Sequence, residues 1–147
     1  MTSMTNDQTP SAPHKSKAFA TLLGLLFGGI GLHRFYLRGL KDRWGWLHMT
    51  SLVLSAALLS DDATRPLLIN TAPLVLSVLI ACIVTFVIGL MPDEKWDALY
   101  NANSARKSDT GWPVPLMMVI NLGYGATLLL IALARGFDLM LTGGAYG

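Results

Sequence analysis

Charge is what this sequence has least of. Asp, Glu, Lys and Arg together make up 14% of its 147 residues, against about 25% in ordinary soluble domains. A soluble domain of this length has to cover its core with a charged surface, and these residues are too few to make one. Cysteine is nearly absent as well. Cys82 is the single one, so no intrachain disulfide can form, and its place in an apolar run reads as a packed thiol. The net charge of +2 leaves no electrostatic footprint for nucleic acid. The signatures of common enzymes are missing too. There is no G-x-S-x-G, no H-E-x-x-H, no Walker glycine loop and no pair of carboxylates inside an apolar run. "GGIG" follows no predicted strand, so it is no dinucleotide fingerprint. These absences argue against an enzyme, and no metal or cofactor is expected.

What is present is hydrophobic length. Residues 18–32, 44–60, 67–91 and 112–134 contain no Asp, Glu, Lys or Arg, giving runs of 15, 17, 25 and 23 residues. A membrane-crossing helix needs roughly 17–25. The first run would rise only about 22 Å, short of a hydrocarbon core of about 30 Å. Extending it through "HRFYL" to Leu37 repairs the length, with Arg34 snorkelling to the interface and Gly39 ending the helix. The expected fold is an all-α integral membrane bundle of four transmembrane helices in two hairpins: spans 18–37, 44–60, 67–91 and 112–134. Residues 1–14, polar and without periodicity, read as a disordered tail, and 135–147 as a C-terminal tail. The 92–111 loop reads as an interfacial helix, with Trp96, Leu99, Tyr100 and Asn103 at helical spacing. The basic start of the chain is a first span and not a cleaved signal, because no small-x-small site followed by a soluble domain appears.

Four spans put the first link, counted from Arg34 to Arg43, and the 92–111 loop on one side with seven Lys and Arg, and both termini and the link holding Arg65 on the other with four. The positive-inside rule then makes both loops cytoplasmic and both termini external. Small residues recur every fourth position along two spans: Ala20, Gly24 and Gly28 in the first, Ser77, Ala81, Thr85 and Gly89 in the third. Such stripes let helices approach closely in lipid. Glycine-rich Gly28–Gly31 then faces a polar stripe on span two, His48, Ser51 and Ser55. Pro73, Asn121 and the glycines of span four leave a second reading open, a small transporter or channel subunit with broken helices.

The string "GGIGLHRFYL", preceded by "KSK" and a Leu/Gly-rich run and followed by a short basic link and a second span, resembles the TM-two domain family over residues 15–60. That family is a two-helix hairpin whose short loop carries an Asp-Arg-Phe or His-Arg-Phe motif, here His33–Phe35. His33 stands where animal members carry Asp. The glycine after "FYL" is displaced by one, to Gly39, and His48 stands where members often carry Gln. The resemblance implies a cytoplasmic motif loop and a bacterial type of membrane protein, so a bacterial inner membrane, and it implies no established activity.

The residues themselves then suggest a membrane interaction, scaffolding or sensing module. His33, Arg34, Phe35, Tyr36, Arg38, Lys41 and Arg43 form its contact surface, facing the bilayer's anionic headgroups, a membrane-protein partner or a second copy of the chain. His33 and His48 are expected near one another. An interhelical hydrogen bond, such as His48 to a glycine carbonyl, outweighs a ligand pair there, because no third ligand has metal-site spacing.

Overall fold

The computed structural model describes residues 12–145 and is helical, with no strand among them. Its elements are α1 (Lys17–Phe27), a 3-10 turn (Gly28–Ile30), α2 (Leu32–Arg38), α3 (Arg43–Asp61), α4 (Leu67–Leu90), α5 (Asp93–Tyr100) and α6 (Pro113–Thr142). Only α4 and α6 are long and apolar enough to cross a membrane, not four helices. Helix α3 has the length, at 19 residues, but its apolar surface is diluted by His48, Thr50, Ser51, Ser55 and Ser60.

The expected continuous span over 18–37 is replaced by a reversal. The helix breaks at Gly28, and Gly31 sits at φ +80°, a left-handed conformation that costs other L-residues roughly 1–2 kcal/mol. The chain then turns back, so that α2 returns along α1. Ser16 at the start of α1 donates its backbone N–H to Tyr36 Oη (2.8 Å). Lys15 Nζ donates to the carbonyl of Leu37 (2.5 Å), and Phe19 and Tyr36 meet edge to face at 5.1 Å. Residues 15 and 37 therefore lie at the same end. Length alone could not reveal this, because four glycines within Gly24–Gly31 weaken the helix where the periodicity argument needs it whole.

Helix α4 is the central post. Helix α1 runs antiparallel to it, with Gly24 against Thr85, Gly28 against Ala81 and Gly29 against Val78. Helix α3 also runs antiparallel to α4, but along its other half. Asn70 Nδ2 donates to the carbonyl of Asp62 (2.9 Å), Ser55 Oγ accepts from Leu74 N (3.1 Å), and His48 meets Ser77. So α1 and α3 point the same way along consecutive stretches of one helix, with α2 folded back at their junction. The bond from Leu74 to Ser55 also explains how α4 stays continuous through Pro73, whose ring disrupts the local ladder. Helix α6 packs on a third side of α4. A Cβ at Gly125 would rest 3.2 Å from Cys82 Cβ, and Asn121 Nδ2 donates to Cys82 O (2.9 Å).

Two further expectations change. The helix does not end at residue 134: α6 continues to Thr142, where Gly143 (φ +70°) caps it, steadied by an Arg135–Asp138 pair at 3.2 Å. Helix α5 is not laid against lipid by its tryptophan, since Trp96 is fully buried and Asn103 falls beyond the helix. Of the expected N-terminal tail, residues 1–11 lie outside the described residues. Residues 12–14 have no regular structure.

Candidate functional site

Helix α2 is seven residues long, and its motif fans out in four directions. His33 points inward and is fully buried; neither ring nitrogen has a hydrogen-bond partner. Arg34 turns to the α2–α3 link, where Nε lies 2.7 Å from Asp42 Oδ2, and its guanidinium sits 5.9 Å over the Trp44 ring. Phe35 packs edge to face on Trp46 (5.5 Å) and against Gly45, where a Cβ would lie 2.6 Å from the Phe35 ring. Tyr36 reaches α1. Four consecutive side chains thus tie α2 to its neighbours, with Gly31 and Gly39 freeing both of its ends.

Asp42 has two tasks. Its Oδ1 accepts from Trp44 N at 3.4 Å, capping α3, while Oδ2 holds Arg34. Burial raises its pKa, but the Arg34 hydrogen bond and charge, the Trp44 amide and the nearby Arg38 outweigh that and hold the carboxyl below its ordinary value.

The histidine pair expected from the sequence is brought together, with ring centroids 5.9 Å apart. His48 Nδ1 lies 2.6 Å from Ser77 Oγ, and Ser77 Oγ donates to Gly29 O at 2.7 Å. Since serine has one proton and gives it to Gly29, His48 must donate from Nδ1. The expected bond to a glycine carbonyl is relayed through Ser77 of α4, a residue whose spacing marks it only as part of a packing stripe. Ser51 Oγ donates to the carbonyl of His48 within its own helix (2.6 Å), and Ser55 serves α4. The glycine stripe of α1, Ala20, Gly24 and Gly28, therefore packs on α4, and the polar face of α3 does the same. The 3-10 turn also neighbours α3, and Gly31 comes closest, 2.7 Å from Gly45 O by its would-be Cβ. Arg38, Lys41 and Arg43 are exposed at the end of the bundle. Among the described residues no group of three His, Cys, Asp or Glu side chains is placed to hold a metal ion.

The same end carries a polar collar. Lys17, almost fully buried, has its Nζ 2.6 Å from Asp93 Oδ1 and donates to Met91 O (2.7 Å). Trp96 Nε1 donates to Lys15 O (2.9 Å), and Lys15 N donates to Asn101 Oδ1 (2.7 Å). These long-range partners left no local signal beyond the basic flank "HKSK". Asp97 accepts from Asn101 Nδ2 (2.9 Å) and from the hydroxyl and amide of Ser108 (2.6 and 2.7 Å). Those bonds, the Asn101 contact first, pull its pKa down to about 2. A depressed carboxylate contributes stability above its ordinary value near 4, and the contribution disappears as pH falls through the folded value. The collar is therefore expected to loosen between about pH 4 and 2. Hydrogen exchange at the Ser108 amide, corrected for intrinsic rate, should accelerate over that window, and Asp97→Asn should remove the acid step.

Residues 13–60, a third of the chain, match the family model described as the TM2 domain. No curated protein and no solved structure matches the chain. The match begins beside the collar lysines, takes in the reversal and the His33–Arg34–Phe35 helix, and ends with α3: over this stretch the chain is similar to the TM2 domain.

Proposed function

We propose that the chain is a multi-pass protein of a bacterial inner membrane and acts as a non-enzymatic interaction, scaffolding or sensing module. The observation that carries this reading is the distribution of charge along the bundle. Lys15, Lys17, Arg34, Arg38, Lys41, Arg43, Lys95, Arg106 and Lys107 belong to segments that meet at one end. Arg65 and Arg135 belong to the other. Nine against two is a far steeper gradient than the seven against four of a four-span layout, and a positive end of this kind faces the cytoplasm.

The bilayer is then crossed three times. Helices α1 and α3 make one composite crossing, and α4 and α6 make the others. The N-terminus joins both basic loops inside, and the C-terminus lies outside. Reporter fusions distinguish the layouts directly. Fusions after residue 17 and within 101–110 should report cytoplasm, and fusions after residue 63 or 145 the opposite side. Termini on the same side would overturn this topology.

Exposed Arg38, Lys41 and Arg43, beside the Arg34–Asp42 pair, form the contact surface for anionic headgroups or an acidic partner. A small transporter is less well supported. Asn121 is spent on Cys82 O, and Thr85 faces Gly24 across a tight helix contact, so these polar side chains of the two long helices lie in packing seams.

A further inference from the structure

Beside the motif helix lies a cleft of about 200 Å³ whose two walls differ in chemistry. One wall is polar: His33, Arg34, Arg38 and Asp42. The other is the aliphatic flank of α4, including Ile83 and Val87, which are 67% and 56% exposed and continue the wall out of the cleft along the bundle surface. We propose that this cleft binds a single anionic phospholipid, with its phosphate on Arg34 and Arg38 and an acyl chain along Ile83 and Val87. The proposal rests on the membrane reading above and goes beyond it, from a charged surface to one built site.

Three observations point to this occupant. First, the charges on the polar wall do not cancel. Asp42 is matched by Arg34, which leaves Arg38 with no ion-pair partner among the described residues. The cleft is therefore net positive and suits a lipid of net negative charge over a zwitterionic one. Second, donors are left over. Arg34 engages Asp42 through Nε alone, and no partner for either Nη is found among the described residues. A guanidinium fork of this kind matches phosphate oxygens. Third, His33 lines the cleft fully buried, with both ring nitrogens unpartnered. A buried polar group without a partner is costly, and a polar headgroup seated beside it offers a route to satisfying it. A free phosphate ion would answer the charge but leave the aliphatic wall uncovered.

The test uses the full chain, purified in a mild detergent from carbonate-washed membranes. Retention in those membranes is the check on the membrane reading, and its loss would overturn both readings. Native mass spectrometry then follows titration with phosphatidylglycerol, phosphatidylcholine or inorganic phosphate. The expected result is one phosphatidylglycerol per chain, retained over the other two probes. Arg38→Ala should weaken binding by about tenfold or more, the loss of one charge-assisted contact, whereas Lys95→Ala, exposed on α5 and outside the cleft lining, should leave it nearly unchanged. Val87→Trp, which blocks the acyl wall and keeps every charge, should weaken phosphatidylglycerol binding as well. A melting curve for each variant shows whether it is folded. Equal retention of phosphatidylcholine, equal effects of Arg38→Ala and Lys95→Ala, tight binding of inorganic phosphate alone, or no bound lipid in a membrane-retained protein would each overturn the proposal.

Discussion

Replacing Gly31 with alanine should destabilise the protein by roughly 2–5 kcal/mol, combining left-handed strain of about 1–2 with overpacking of about 1–3. Its new methyl would meet Gly45 O at 2.7 Å and His48 Cβ at 2.9 Å, and neither the backbone carbonyl nor the buried histidine can step aside. The sign of the effect is diagnostic. In an unbroken helix over 18–37, glycine to alanine would stabilise by up to about 1 kcal/mol. Gly39→Ala provides the calibration, because Gly39 also has a positive φ (+77°) but no atom within 4 Å of the place its methyl would take. It should cost only the strain, about 1–3 kcal/mol. Gly123→Ala, in open space on α6, should be neutral or mildly stabilising. Thermal unfolding of the four proteins in detergent ranks them, and a stabilising Gly31→Ala would mean that the chain does not reverse there.

Removing one partner of the Arg34–Asp42 pair should cost about 3 kcal/mol, the lower part of the range for a buried pair, since Arg34 keeps 16% exposure while Asp42 keeps 6%. Asp42→Asn is the cleaner variant: asparagine still caps α3, so the loss reports the charge. Arg34→Met leaves the carboxylate unpaired instead. The double variant should be no worse than either single one, because the cost of each comes mainly from the charge stranded by it. Additive losses would show that the two side chains act independently. Acid provides a second route to the same state. Asp42 has a depressed pKa, so the pair contributes fully above about pH 4 and is lost as pH falls through the lower folded value.

The helices are largely legible in the sequence because they follow from hydrophobic length and caps. Long charge-free runs give α4 and α6, and Asp42 marks the start of α3. The reversal at Gly28–Gly31 is not legible as such. Glycines there are equally compatible with a packing stripe and with a turn, and a length argument favours extending the helix. Arg34 and Asp42 are separated by the end of one helix and the start of another, and they pair only because the Gly39–Asp42 turn folds the link back onto α2. The collar is hidden for a different reason: Lys17 finds Asp93, and Lys15 finds Trp96 and Asn101, across more than seventy positions. Residue types at the site can be chosen from the motif, but their partners come from α4 and the loop after it.

Each close glycine contact that α1 and the 3-10 turn make, with Thr85, Ala81 and Val78, is to a residue beyond position 60. The stretch similar to the TM2 domain therefore packs on a helix outside the match, and the end of the match at residue 60 is not a boundary of packing. During synthesis, α1 and α2 leave the ribosome before their packing surface exists. Some 50 residues separate Gly39 from the end of α4, a wait of roughly 3–10 s at ordinary elongation rates. Through that interval two short apolar helices, neither long enough to cross alone, need a temporary escort.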